Sequence, residues 1–410
     1  MAEEGADGGG DGSADADAAT GGSVSSSSSL DPHETNLGSF HEFAILEELT
    51  GRHGRFTKVS TLAEAIHGKV YKYRWTRDWL EVGDLDEIVV AKKMLSHKVR
   101  FNVGRERNER EAHRNPRSPT APHPEDALTE IGVLSFLRRR PDLPVFLLRM
   151  LGSFADGEHT LLITEHIDGG ELFAQVASGA LDSTEDKVRL LMWQLLQATR
   201  YLHCHNIGHR DISLENTLIT FRDSPEGQVR LMDFGQAVRT RSRCGSIFLR
   251  YFRAVGKPYY RGPECYVPPE REARIVAPPG AAPGRVVFER LRDASGSSSG
   301  YMCEVRLPDG VEPGKPCTAE LFGYEVPPID IFALGVCLFI LAWRAPPWGR
   351  ALVVDPSFAF IHARGEGGIP ALLKHWQKSL FSEEAMLMLV KMVSPNPSLR
   401  PTAEECLAGA

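Results

Sequence analysis

Residues 209–216 read HRDISLEN, which places a His, an Arg, an Asp and an Asn within eight positions. Asp211 and Asn216 stand five apart, a spacing that lets one loop present a carboxylate and an amide to the same ligand. Such a loop works only when rigid elements hold it on both sides. Upstream, Val188–His203 carries apolar residues at helical spacing, and downstream the runs TLITF and QVRLMDF read as a hairpin across the polar RDSPEG. The loop therefore belongs to a mostly helical unit that includes a small β element.

Earlier in the chain the pattern differs. EIVVAKKM (87–94) is short and β-branched, a strand. Ala127–Arg139 carries Ile131, Leu134 and Leu137 on one face and Glu130 beside it, and runs into a group of arginines that suits the negative end of a helix dipole. FLLRMLGSF and TLLITEHI read as two further strands joined by ADGEH. After about residue 166, Pro327–Arg344 and Phe381–Met392 read as helices. The apolar run Ile331–Trp343 falls short of the roughly 20 residues a membrane span needs, so it reads as a buried core helix. Two polar stretches read as surface loops. Residues 95–126 hold seven Lys/Arg between 97 and 117, and 266–325 are rich in Pro, Gly and Ser, including SGSSSG.

Residues 1–40 hold eight acidic side chains and no Lys or Arg, with almost no large apolar residue, so they read as a disordered acidic tail. The tail therefore carries more negative charge than the net −7 of the whole chain, and the rest sums to about +1. The remainder is close to neutral and gives no electrostatic footprint for nucleic acid. Seven Cys without a CxxC fit scattered reduced thiols. No charged start precedes an apolar run, and Met1-Ala2 is no myristoylation signal. The expectation is a cytoplasmic protein without a membrane, the nucleus and the oligomeric state being left open.

Further motifs follow in order: Val90-Ala91-Lys92-Lys93, Asp233-Phe234-Gly235, Gly262-Pro263-Glu264, Asp330 before IFALG, and Arg400 in NPSLRPT. With HRDISLEN they resemble a eukaryotic-type protein kinase over about residues 50–408. The resemblance implies an α+β, two-lobed fold. The N-lobe, 50–166, would be small and β-rich with one main helix, and the C-lobe, 167–408, larger and mostly helical. It implies ATP and Mg2+ as cofactors, a protein as substrate, and transfer of a phosphoryl group to a Ser or Thr hydroxyl. Phosphoryl transfer needs positioning and charge neutralisation more than covalent chemistry. Lys93 would grip the α- and β-phosphates, held by Glu130. Asn216 and Asp233 would ligate the metal, and Asp211 would take the proton of the acceptor. Backbone groups of Glu165 and Ile167 would meet the adenine below a small Thr164, with Val70, Ala91 and Leu218 around the ring. Glu264 would pair with Arg400, and Asp330 would anchor the central helix.

Three departures stand out. The phosphate-covering loop, AEAIHGKV, offers Ala63, Ala65 and only Gly68 before Val70, while Gly51 and Gly54 lie 42 and 39 residues before Lys93, too far for a two-strand connection. Ser213 stands where serine/threonine kinases carry a Lys, and Lys257, in GKPYYRGPE, stands where they carry a Thr. The reading is that the missing charge has moved to Lys257. Third, the segment from Asp233 to Glu264 carries a cluster of arginines, Arg239, Arg241, Arg243, Arg250 and Arg253 among them, so a phosphate on Thr240, Ser242 or Ser246 would be expected to pair with Arg210. Glu171 and Glu215 match acidic positions that receive basic substrate residues. Two other readings stay open: a pseudokinase scaffold, favoured by the alanine-bearing loop and Ser213, and a small-molecule phosphotransferase, opposed by Glu264, Asp330 and Arg400.

Overall fold

The computed structural model describes residues 32–33, 40–79, 83–101, 113, 125–222 and 224–409. Most of the acidic tail over 1–40 and most of the polar stretch 95–126 lie outside the described residues.

The N-lobe is a six-stranded sheet with strand order β1-β5-β6-β4-β3-β2: β1 Glu47–Glu48, β2 Arg55–Ala65, β3 Gly68–Trp79, β4 Gly83–Leu95, β5 Met150–Ala155 and β6 His159–Glu165. The Val- and Ile-rich centre of β4 pairs on both sides, with β3 and with β6. After β4 comes a short helix α1, Ser96–Phe101, and then α2, Ala127–Arg138. Asp126 caps α2 by accepting from Leu128 N and Thr129 N. Its apolar face, Ile131, Leu134 and Leu137, is fully buried against the sheet and against Phe40. A Cβ on Gly132 would fall 2.1 Å from Phe40 O, so glycine lets the segment around Phe40 ride directly on the helix.

The C-lobe starts with α3, Leu172–Ala177, and α4, Glu185–Cys204. Then come β7 (Ile207–Gly208), the loop 209–216, the hairpin β8 (Thr217–Thr220) with β9 (Gln228–Leu231), and β10 (Val238–Arg239), which pairs with β7. Helix α5, Val326–Trp343, is apolar on every side. It has the length and hydropathy of a membrane span, but 78% of it is buried inside the molecule, as the core-helix reading expects. Four shorter described helices between Pro356 and Ala408 close the base.

Residues 266–325 correct the expectation of a surface loop. They hold a closed four-stranded barrel: β11 Glu272–Val276, β12 Val286–Arg292, β13 Ser298–Arg306 and β14 Pro316–Leu321. Ile275, Leu291, Cys303, Val305, Ala319 and Leu321 fill it. The Pro- and Gly-rich pieces are its turns. In one of them Asp293 accepts from Ser295 N and Ser297 N around Gly296, whose φ of +84° suits glycine.

Candidate active site

Strand alternation decides which lysine enters the cleft between the lobes. Across β3, β4 and β6, Val70, Lys92 and Leu162 are direct partners and line the open cleft. Lys92 Nζ donates to Glu130 Oε2 at 2.7 Å and lies 3.6 Å from Glu125. Burial alone would lower the Lys92 pKa, but Glu130, Asp233 and Glu125 outweigh it and raise it. Burial pushes the Glu130 carboxyl up, against the pull of Lys92.

Lys93, the residue expected here, is therefore displaced. One position along a strand turns a side chain to the other face, and Lys93 lines a separate basin with Lys58, Lys69 and Lys98. The same shift moves Ala91 into the buried cluster with Trp75, Phe154 and Ile163, and brings Val90 to the cleft in its place. Gly68 sits in β3 opposite Met94, where a Cβ would come 1.9 Å from Lys93 O; it serves the close approach of two strands. The hairpin tip over the cleft is a two-residue turn, Ile66-His67, and Ala65 and Ile66 line the cleft there. Leu218 is half-buried in β8, bridged to Glu171, while Leu148 and Met232 line the cleft. Val70 and Thr164 line it as expected. Glu165 ends β6, its carboxylate accepting from Arg149 N at 2.8 Å, and Ile167 follows half-buried.

The loop 209–216 is fixed from below. Asp330, buried in α5, accepts from His209 N and Arg210 N, each at 2.9 Å, and pairs with His203. Phe234 packs on the His209 ring at 5.1 Å. Asn216 Nδ2 donates to both the backbone O and Oδ2 of Asp211, at 2.8 Å each, which turns its Oδ1 away from them. Asp211 Oδ1 is buried and, among the described residues, has no hydrogen-bond partner. Burial raises the Asp211 pKa and Asp233 adds to this, against Lys257 and His209.

Lys257 reaches back over Ser213. Its Nζ donates to Ser213 Oγ at 2.9 Å and to Asn216 Oδ1 at 3.2 Å, and stands 3.9 Å from Asp211 Oδ1. Gln236, which no motif singled out, ties this corner together. It donates to Asp211 Oδ2 at 3.3 Å and accepts from Gly256 N at 2.9 Å. Gly256 has φ +79°, and a Cβ there would lie 2.8 Å from Arg210 O and 3.1 Å from Asp211 Oδ1. Gly256→Ala is thus expected to cost about 1–3 kcal/mol in chemical denaturation. The new methyl would press on the loop that carries Asp211.

Glu215 is not open to a basic substrate residue: Tyr259 and Tyr260 donate to its two oxygens at 2.7 and 2.9 Å. Glu171 stays exposed ahead of α3. Glu264 and Arg400 form a fully buried two-pronged pair, at 2.5 and 2.8 Å.

Residues 88–273 match the family model described as the protein kinase domain. Over this stretch the chain is similar to protein kinases. The matched residues begin in β4 and stop where the barrel starts. The serine/threonine-protein kinase SRK2C of Arabidopsis thaliana is 35% identical over 118 residues, 29% of this chain and 32% of that protein. A putative ribosomal protein S6 kinase alpha-1 of Caenorhabditis elegans is 24% identical over 282 residues, 69% of this chain and 28% of that one. A solved structure of Rad53 1-466 in complex with AMP-PNP covers 86% of this chain and 64% of its own, at TM-score 0.48 and 18% identity. The chain spans about a third of the length of these curated relatives. Among the matched residues, the ion pair Lys92–Glu130, Asp233, and Asn216, which donates to Asp211 behind it, line one cleft.

Proposed function

We propose that the chain is an active protein kinase that transfers the γ-phosphoryl group of ATP to a Ser or Thr hydroxyl of a protein. The observation that carries this reading is Asp211 Oδ1, a buried carboxylate oxygen without a hydrogen-bond partner among the described residues. A buried acceptor left unmade is costly unless a ligand completes it, and an acceptor hydroxyl would. In this reading Lys92, fixed by Glu130, grips the phosphates, and Asp211 orients the hydroxyl and takes its proton. Asp233 and Asn216 Oδ1 are hard oxygens that suit Mg2+, and the ion would take Asn216 Oδ1 over from Lys257, which donates to it here; when bound it would neutralise phosphate charge. The serine/threonine preference rests on the relatives' names and on the form of the catalytic loop. The competing pseudokinase reading draws on the Ile66-His67 tip, which lacks the glycines that usually approach phosphates. Incubating the protein with ATP, Mg2+ and degenerate Ser/Thr and Tyr peptide libraries separates the two. Phosphate on Ser/Thr peptides supports the kinase, and none on any peptide leaves the scaffold.

Lys257 supplies the positive charge absent at 213. Lys257→Thr is expected to lower kcat by about 10–100-fold with little change in KM for ATP, since the charge acts on the transition state. Ser213→Lys in that background should restore much of the loss, as two sites sharing one role are not additive. The pH profile gives a second check. The carboxylate of Asp211 must be ionised to accept a proton, and its pKa is raised, so activity should fall on acidification at a pH above that of an ordinary Asp. Lys257 opposes this rise, so its removal should move the acid limb to still higher pH. An unmoved limb and unchanged kcat would show that Lys257 is only a loop residue.

A further inference from the structure

Of the arginines expected to await a phosphate, four are already engaged elsewhere. Arg239 and Arg243 pair with Glu42, at 2.8 and 2.6 Å. Arg241 lies on the Phe248 ring at 3.7 Å. Arg250 is held between Glu304 of β13 and Glu325, at 2.8 and 2.5 Å. Two of the three hydroxyls named as phosphate acceptors are inaccessible: Thr240 and Ser242 are 3% and 4% exposed. Ser246 is exposed and contacts Cys244 at the tip of a turn. Arg210 itself, the arginine before the catalytic Asp, is buried with its guanidinium over the face of Tyr251 at 5.0 Å.

Tyr251 is anchored from three directions. Its OH donates to Arg239 O at 2.6 Å, and its backbone exchanges two hydrogen bonds with Tyr324, at 2.9 and 2.8 Å. Leu249, Tyr251 and Phe252 share one buried cluster with Ile275, Cys303 and Leu321 of the barrel. The aromatic face thus meets the arginine from a wall that the inserted barrel makes rigid. A desolvated guanidinium–ring contact is among the stronger of its kind, and it needs no modification to form.

We infer that Tyr251, held by the barrel, is a positioning residue that stands in for an activation-segment phosphate on Arg210, so that turnover does not require phosphorylation of residues 233–264. The inference rests on the kinase reading above. If it holds, the segment is ordered by packing rather than by a charge switch.

The full chain, dephosphorylated with a phosphatase and checked by mass, tests it with a peptide selected from the libraries. Dephosphorylated wild type should keep its kcat within about twofold, and Tyr251→Leu should lower kcat by about tenfold with KM for ATP unchanged. Hydrogen exchange should rise over residues 205–216 in Tyr251→Leu while that of 272–321 stays as in wild type. Tyr251→Phe, which keeps the ring face, should restore most of the turnover. Arg210→Met approaches the same contact without touching the barrel, and the double variant with Tyr251→Leu should be no worse than either single one. Loss of activity on dephosphorylation, additive losses in the double variant, or wild-type kcat in Tyr251→Leu would overturn the inference. If wild type shows no turnover, the phosphotransfer reading falls and exchange decides alone: increased exchange at 205–216 in Tyr251→Leu supports the contact, and unchanged exchange ends it.

Discussion

Lys92→Met is expected to lower kcat/KM by on the order of 10²–10³-fold, whereas Lys93→Met should leave it within about threefold, in steady-state assays with saturating peptide. The two residues are adjacent and chemically identical, so composition and net charge are the same in both variants. Only the face of β4 differs. Lys92 is the one 2.7 Å from Glu130 and inside the cleft. Methionine preserves much of the stem while removing the charge that phosphates need. Its removal also leaves Glu130 buried without its cation, which costs more than the pair itself contributes. A modest loss of stability should therefore accompany the loss of rate, and melting curves of both variants would report it. If Lys93→Met were the damaging change, the strand register described above would be wrong.

Asp211→Asn should cut kcat by about 10²–10⁴-fold at unchanged fold, the range attributed to a positioned proton acceptor. The substitution is nearly isosteric. The backbone of the loop keeps its bonds to Asp330, and an amide oxygen can still accept from Asn216, so circular dichroism and thermal unfolding should barely move. Relief of a buried charge raised in pKa by burial could even stabilise the folded chain slightly. A large loss in kcat beside equal or higher stability is the signature that separates chemistry from structure. Equal turnover in both proteins would remove the kinase reading.

Much of this was legible in the chain. Polar motifs in fixed order located Asp211, Asn216, Asp233, Glu264, Asp330 and Arg400, because each must sit on a loop or helix that sequence pattern identifies well. The lysine was not, since V-V-A-K-K is apolar before two equal cations, and a strand side chain is assigned to a face only through its partners. Val70 carried the missing signal: its direct partner across β3 and β4 is Lys92. Gln236 was invisible because its role depends on Gly256, twenty residues away, arriving within hydrogen-bond reach. The barrel was misread for another reason. Pro, Gly and Ser between 266 and 325 measure the density of turns, and when strands are only five to nine residues long the turns dominate the composition. Likewise the arginines of the activation segment looked uncompensated because Glu42, Glu304 and Glu325 lie far from them in sequence.

The closed shape of that barrel bears on how the surrounding chain can tolerate it. β11 and β14, its first and last strands, are antiparallel neighbours, with Glu272 opposite Glu320 and Ala273 opposite Ala319. The entry and exit of the insert therefore leave side by side. Bringing the ends of a long loop together carries an entropic penalty that grows only slowly with length, and here the ladder inside the insert offsets it. The path from Glu264 to α5 can thus remain as short in space as if nothing intervened, and the buried Glu264–Arg400 pair on one side of the insert and Asp330 on the other keep their places.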